Sequence, residues 1–530
     1  MRSSPPPLLR PFAVAFAAHA AMALCYVLSR APGTAAAGDG FPLDDAWIHM
    51  VYGRSLAARG VPAYNDLAEA GFTSPLWVML LAVAHWCSAV LPAGPVFFAK
   101  LFGVLAASVT TASIYLLGLR LTSRSAVASF AALLCVLQPA LAFAQVSGME
   151  VSLTTANCAL ALLALADGRH RRAGVFLALA VWSRPECLLL AMLAPVVVAG
   201  QRGVPTAVRA RQTLQVLAPT AVAVASWCGY CLIVTGHPLP NTVYAKFRMT
   251  GIGDGLRAMG EALGRLPSNL FAVGVLFAVL GVVRAPKTRE PWLAGLIGVF
   301  PFAFLFAVVR SRPFPPDAGD FFYFARYPAP AWPFLLLATA LGVHAVWQVA
   351  ARQSRPAVRY GVRALTAAAV VLALIGHPQA LARSIERFAW NCQNMNEVQV
   401  AFGDWVAANV PADRAVAIND AGAIRYFGGR RTIDLIGLND QSVLFMEPPL
   451  AARCSTADAF ADLLLARGAD HLIIFRSWFP GLVEQPRFAA RFAVAKVLVS
   501  PHYTVASPKS GQAEMVAYRV LPGDTARPPR

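Results

Sequence analysis

From Pro11 to about His377 the chain is a succession of apolar runs of about 20 residues, separated by short polar stretches. Wound as helix at about 1.5 Å per residue, such a run matches the roughly 30 Å hydrocarbon core of a bilayer. Lipid offers a backbone no hydrogen-bond partner, so a run immersed in it must satisfy its own N–H and C=O groups as a helix. A transmembrane barrel would require strict alternation of apolar and polar positions, which these runs lack. Spans are placed near 11–29, 96–119, 125–143, 150–166, 173–183, 186–200, 213–235, 268–283, 291–310, 329–349 and 364–380. The pair 173–183 and 186–200 is short enough to read as a broken hairpin around Arg184-Pro185. The first run has the basic flank (Arg2, Arg10) and following small residues (Ala35, Ala36, Ala37) of a signal peptide, but the many spans behind it favour an uncleaved first helix. Pro75–Leu91 is apolar with no basic cluster after it, and reads as a re-entrant or membrane-surface helix.

Near Leu381 the pattern changes. Arg383, Glu386, Arg387 and Asn391 open a polar, mixed-charge region. Ala415–Ile418, Thr432–Leu435 and His471–Phe475 have the short apolar form of buried strands, with a helix between Ala421 and Phe427. Strands alternating with helices predict a small α/β domain. The chain thus divides into a polytopic α-helical membrane part, residues 1–380 with about eleven transmembrane helices and a first outside loop at 31–95, and a soluble α/β domain at 381–530 whose last residues, Pro522–Arg530, read as disordered.

Composition agrees: 57% of residues are hydrophobic and 14% charged, with a mean hydropathy of +0.56, where a soluble domain carries about a quarter charged residues. The net charge of +18 would suit nucleic acid by magnitude alone. Its placement argues otherwise. Arg2 and Arg10, Arg120 and Arg124, Arg169 with Arg171 and Arg172, Arg202 with Arg209 and Arg211, Arg284 with Lys287 and Arg289, and Arg352 with Arg355, Arg359 and Arg363 fall at alternate ends of successive spans, accompanied only by Asp167 and Glu290. This is the positive-inside pattern, with attraction to anionic headgroups as its consequence. It sets the N-terminus inside and the C-terminal domain outside. Of the nine cysteines, Cys392 and Cys454 alone lie beyond the apolar runs, and the sequence leaves open whether they pair.

The outside loops hold the chemistry. Phe41-Pro-Leu-Asp-Asp-Ala-Trp-Ile-His49 places adjacent acids, Asp44 and Asp45, a few residues beyond a membrane helix. Either can be a helix N-cap. Yet a pair of acids at a membrane surface is more than a cap needs, and ionisable residues gathered at one membrane face are functional candidates. His49 shares the face of Asp45 at i+4 and is read as a surface residue rather than a metal ligand. Arg54, Tyr64-Asn65 and Gly71-Phe-Thr-Ser-Pro-Leu-Trp77 follow.

This stretch resembles the first periplasmic loop of bacterial GT-C glycosyltransferases, and more narrowly the branch related to mycobacterial arabinofuranosyltransferases. The resemblance continues in Ser147-Gly-Met-Glu150, where Val151 replaces the usual Thr; in Ser183-Arg-Pro-Glu186, where Cys187 replaces a Gly; in Leu239-Pro-Asn-Thr-Val-Tyr-Ala-Lys246; and in Gly319-Asp320 with Arg326-Tyr-Pro328, where Ala318 replaces a Gly. Asn391–Val398 and Asn419–Leu438 resemble the outer domain often attached. It implies inverting transfer of a sugar from a polyprenyl-phosphate donor to a glycan, lipid or protein acceptor at the periplasmic face of the inner membrane. Phosphate is already an adequate leaving group, so the reaction needs a base, for which Asp44 or Asp45 is the candidate, and cations for the developing phosphate charge, for which Arg54, Lys246 and Arg326 are. His49, Tyr64, Asn65, Glu150, Arg184, Glu186, Asn241, Tyr244 and Asp320 are candidates for the substrate pocket. Asp45, Glu150 and Asp320 have the oxygen ligands a divalent cation would want.

Plainer readings stand beside these. Arg54 can snorkel to headgroups, Glu150 can cap the span that follows it, and Arg184 with Glu186 can simply stabilise a helix break, which the missing Gly favours. Asp420 and Asp434 can line an acceptor surface or occupy strand-end turns. A polytopic transporter or lipid flippase, or a non-catalytic envelope-assembly scaffold, are the alternative functions; internal repeats, which would mark a transporter, are not evident.

Overall fold

Proline decides where the apolar runs become separate helices. The residue before a proline is pushed out of the helical region, and Gln138 (φ −68°, ψ 117°), Arg184 (φ −153°, ψ 125°) and Arg355 (φ −79°, ψ 115°) all obey. The computed structural model describes residues 8–201, 203–247, 251–264, 275–280, 283, 290–311, 326–447, 449–450, 456–501 and 513–523. Its helices begin with α1 (Leu9–Val27), α2 (Asp44–Arg59), α3 (Pro75–Val90), α4 (Pro95–Thr122), α5 (Ser125–Leu137), α6 (Pro139–Ala144), α7 (Val151–Ala166), α8 (His170–Ser183), α9 (Leu188–Ala199), α10 (Thr206–Thr235), α11 (Asn241–Lys246) and α12 (Ile252–Gly264). They continue with α13 (Pro291–Ser311), α14 (Trp332–Ala351), α15 (Pro356–Ile375), α16 (His377–Met395) and α17 (Ala401–Asn409).

By length and hydropathy, six helical segments among the described residues can cross a bilayer: Leu9–Val27, Pro95–Thr122, Thr206–Thr235, Pro291–Ser311, Ala329–Ala351 and Pro356–Asn409. Pro75–Val90, Ser125–Leu137, Val151–Ala166 and Pro185–Ala199 are apolar but shorter. The run expected at 125–143 is two helices, because Pro139 ends the first. The expected hairpin at Arg184-Pro185 is a break followed by a single 3-10 turn, Pro185–Cys187. Most of the run at 268–283 lies outside the described residues, as do Asp320, Cys454 and most of the tail. Cys392 is a buried free thiol.

The change of composition at Leu381 is not a break in the backbone. Gly376 stays helical (φ −81°, ψ −4°), so α15 runs into α16 and, through a π-turn at Asn396–Val400, into α17. Beyond it stand β1 (Ala415–Ile418), α18 (Ala423–Gly428), β2 (Thr432–Asp434), α19 (Ala457–Ala466), β3 (Ala469–Phe475), β4 (Phe492–Ser500) and β5 (Ala513–Val520). The order is β2-β1-β3-β5-β4, with β2, β1 and β3 parallel and the last two pairings antiparallel. The three expected strands and the helix between the first two are present; β4 and β5 are additional. Alternation in β3 shows how the sheet is held. Leu472 and Ile474 pack with Phe460 and Phe488 on one face. Ile473 and Phe475 join Ile48, Val51 and Tyr52 of α2 on the other. The first loop and the sheet therefore share one apolar core, each such side chain contributing roughly 1.5–3 kcal/mol on burial.

Candidate active site

A cavity of about 340 Å³ opens where α2, the helix break at Arg184, α11 and the turns before α3, α7 and α14 meet. Asp45, Ile48 and His49 come from α2; Gly71, Phe72 and Thr73 from the turn before α3; Met149 and Glu150 from the start of α7; Arg184, Pro185 and Glu186 from the helix break. Leu239, Thr242, Val243, Lys246 and Phe247 come from around α11, Ser311 from the end of α13, Arg326 and Tyr327 from the turn before α14, and Leu438 from beyond β2. Local rules put them there. Pro185 forces Arg184 into extended backbone, which turns its side chain out of the helix and into the cavity wall. Gly148 has φ +77°, and a Cβ there would lie 2.6 Å from the ring of Phe41. Only glycine makes that turn, and it delivers Met149 and Glu150.

At the centre, Arg326 Nη2 donates to Asp45 Oδ2 at 2.5 Å and to the Tyr327 hydroxyl at 2.9 Å. The Asp45 side chain keeps 24% exposure, and it lines the cavity. Burial pushes its carboxyl up, but Lys246 and Arg326 outweigh burial and hold it well below the usual carboxylate range. Arg184 Nη1 donates to Glu150 Oε1 at 2.8 Å and Nη2 to Glu186 Oε1 at 3.1 Å. The Tyr327 ring lies under both guanidinium groups, 4.9 Å from Arg326 and 5.3 Å from Arg184. His49 is not a surface residue: it is buried in the wall, and burial lowers its imidazole pKa against the pull of Glu150 and Asp45. Glu150 stands at the N-cap of α7 without capping it; its carboxylate goes to Arg184.

Several expected site residues are elsewhere. Asp44 faces away from the cavity and accepts from the backbone N–H of Gly422 (2.6 Å) and Ala423 (2.8 Å). It caps a helix after all, but the distant α18 rather than its own. Burial, then the neighbouring Asp420 carboxyl, raises its pKa well above the ordinary value, with the Ala423 N–H opposing. Burial raises the Asp420 carboxyl in turn, with the hydrogen bond from Gln399 opposing. Arg54 donates to the Tyr426 carbonyl at 2.8 Å and lies over that ring at 4.2 Å, so it binds the sheet region and not the cavity. Tyr64 donates to the Ala421 carbonyl at 2.6 Å, and Asn65 pairs with both backbone groups of Thr432 at 2.9 and 3.0 Å. These are clasp residues because their reach is to backbone left open by the 421–432 turns. Tyr244, 39% exposed, packs on His237 and Phe445. Asn241 is fully buried and does not line the cavity. Asp434 is a turn residue, accepting from Ile436 and Asn439.

Among the described residues no three or more His, Cys, Asp or Glu side chains gather as a cation site. Of the suggested set, Asp45 and Glu150 each face an arginine, so the described carboxylates do not form an oxygen cage. Sequence reasoning missed Tyr327 and Thr242, although each adjoins a residue it named. It also missed the Asp44–Asp420 pair, whose members are separated by most of the chain and share no motif.

No curated protein matches this sequence. A family model described as a domain of unknown function (DUF8728) matches residues 390–518. Solved structures match along the whole chain. ArnT from Cupriavidus metallidurans bound to undecaprenyl phosphate is 11% identical, with a TM-score of 0.57 over 98% of this chain and 99% of that one. AglB, an archaeal oligosaccharyltransferase from Archaeoglobus fulgidus in complex with an inhibitory peptide and a dolichol-phosphate, is 11% identical, with a TM-score of 0.61 over 98% and 75%. The arabinofuranosyltransferase AftD from Mycobacteria is 14% identical, with a TM-score of 0.53 over 97% of this chain and 40% of that one. At such identities it is the architecture that carries over, and this membrane protein has the GT-C glycosyltransferase fold.

Proposed function

We propose that the protein is an inverting glycosyltransferase that moves a sugar from a polyprenyl-phosphate donor to a cell-envelope acceptor at the periplasmic face of the inner membrane. The observation that carries this reading is the convergence on one cavity of a carboxylate held between two cations, contributed by segments spread from Asp45 to Arg326. Structural neighbours bound to undecaprenyl phosphate or a dolichol-phosphate support the donor class. On this reading the N-terminus is cytoplasmic, the chain crosses the membrane many times, residues 1–380 form the catalytic part, and 381–530 form a periplasmic domain.

The chemistry follows from the charges. The acceptor hydroxyl attacks the anomeric carbon, Asp45 takes its proton, and the bond from that carbon to the phosphate oxygen breaks, leaving polyprenyl phosphate. A single displacement inverts the anomeric centre. Lys246 and Arg326 meet the charge that builds on the phosphate. They have a second effect. Before the donor binds they suppress the basicity of Asp45. A phosphate between them competes for their charge, so Asp45 becomes a stronger base when the donor is seated.

The test is sugar transfer by purified protein in detergent with a panel of synthetic polyprenyl-phosphate sugars. Transfer with at least one donor, inverted at the anomeric centre, is expected. Neither transfer nor hydrolysis, and no thermal stabilisation by any donor, would shift the reading to a transporter or an assembly scaffold.

A further inference from the structure

Four side chains lining the cavity carry a buried polar atom with no protein partner among the described residues: His49 Nδ1, Glu150 Oε2, Arg184 Nε and Thr242 Oγ1. Three of these residues are more than nine-tenths buried, His49 at 8% exposure and Glu150 and Arg184 at 4%. A buried polar atom left unmet is costly, and of those among the described residues these four line a single cavity. Their gathering on one cavity of about 340 Å³ marks a surface made to meet a ligand.

The atoms also say what kind. An ionised carboxylate oxygen only accepts, a guanidinium N–H only donates, and an imidazole nitrogen or a hydroxyl can do either. A ligand group that donates to one neighbour and accepts from the next is a hydroxyl, and several hydroxyls on one small ring satisfy the set. Asp45 is held by Arg326, with Lys246 beside it, and these two cations are left to the donor phosphate. Arg184, held by Glu150 and Glu186, has no unpaired positive charge to offer a sugar. Ile48, Phe72 and Met149 supply apolar surface for the faces of a ring. The volume lies at the small end of the roughly 300–1,000 Å³ typical of ligand pockets, which suits one ring and not an oligosaccharide.

We infer that His49, Glu150, Arg184 and Thr242 form the subsite that reads the hydroxyls of the transferred sugar, that it takes a single neutral polyhydroxylated ring, and that His49 and Thr242 are specificity residues. The inference rests on the glycosyltransferase reading and adds to it the class of sugar.

The experiment uses the purified full chain and donors with one lipid but different sugars: neutral pentoses and hexoses, the single-deoxy analogues of the best of them, and its uronic acid and amino counterparts. Wild type is expected to lose about 10-fold or more in kcat/KM on at least one deoxy donor, and to use the charged sugars more poorly than the neutral one. His49→Ala or Thr242→Val should lower kcat/KM on the complete sugar about 10-fold yet treat the discriminated deoxy donor much as wild type does, so that selectivity collapses. Use of every deoxy donor within about 2-fold by wild type, preference for a charged sugar, or undiminished selectivity in both variants would overturn the subsite. The first two outcomes need no variant, so a misfolded mutant cannot hide them. A wild type that transfers nothing overturns the glycosyltransferase reading itself, whereas one that transfers without selectivity overturns only this inference.

Discussion

Asp44 and Asp45 are neighbours on one helix and live in opposite electrostatic worlds. Successive residues on a helix point about 100° apart. Asp45 therefore faces the cavity, beside Lys246 and Arg326, while Asp44 faces the C-terminal sheet, beside Asp420 and two backbone N–H groups. Burial alone would push both carboxyls up. Cations reverse that for Asp45, and a second carboxyl reinforces it for Asp44. The comparison teaches that an acid pair in a motif can be two unrelated devices: a carboxylate held low by cations at the cavity, and a clasp of raised pKa that binds the backbone ahead of α18.

The largest expected effect separates the two by activity. Asp45→Asn removes the proton acceptor and should cut turnover by about 10²–10⁴-fold, while the donor still raises the melting temperature, since Lys246 and Arg326 remain. Asp44→Asn keeps the shape of the side chain and an oxygen for one backbone N–H, and should stay within about 10-fold of wild type. Equal losses in turnover, or a greater loss for Asp44→Asn, would break the comparison.

The next effect separates them by stability. Asp44→Ala strands the N–H groups of Gly422 and Ala423, at about 1–3 kcal/mol for each buried donor left unmet. Gly422→Ala attacks the same contact from the other side, because a Cβ there would lie 2.6 Å from Asp44 Oδ1. Both should release the C-terminal sheet from α2, read as faster proteolysis within 410–520 and an earlier unfolding step. Lys246→Met in the cavity should leave that step in place while weakening donor binding. If Asp44→Ala leaves proteolysis unchanged, the clasp is not what holds the sheet.

How much of this was legible beforehand follows the range of the interactions. The membrane class, most helices and the parallel strands β1, β2 and β3 were readable, because bilayer thickness and alternation write themselves into short windows. The helix breaks were readable wherever proline sets them. The cavity set was partly readable: Asp45, Lys246, Arg326, Glu150 and Arg184 sit in recognisable segments and do converge. What could not be read is direction. Nothing in Asp44-Asp45 says which acid faces α18, and nothing in Tyr64-Asn65 or Arg54 distinguishes a substrate contact from a grip on backbone more than 350 residues away. Strands β4 and β5 escaped notice although Ser507-Pro508, Ser510-Gly511 and Pro522-Gly523 punctuate that stretch; β5 is placed by pairing with the distant β3, and β4 by pairing with β5.

The smallest expected effect concerns pH, and its sign differs between the two acids. Unfolded, both carboxyls titrate near 4. Folded, Asp44 and Asp420 are raised, so just above pH 4 the folded state keeps a proton that the unfolded chain has released, and the clasp weakens as pH rises toward the raised value. Asp45 is lowered, so its contribution is complete above pH 4 and fades only as pH falls below it. Of these two acids, only Asp44 should respond between pH 4 and neutrality, with at most about 1.4 kcal/mol per pH unit for one proton. Asp434 and Glu69 also have raised values, Glu69 to about 9, and add a slope of the same sign. The informative quantity is therefore the difference between wild type and Asp44→Asn, which removes the Asp44 titration and leaves those two in place. Amide exchange at Gly422 and Ala423, followed from pH 4.5 to 7.5, should quicken with pH in wild type beyond the intrinsic chemical rate and do so less steeply in the variant. Parallel profiles would mean that the Asp44 carboxyl is not raised, and that the difference between the two halves of the pair lies in geometry alone.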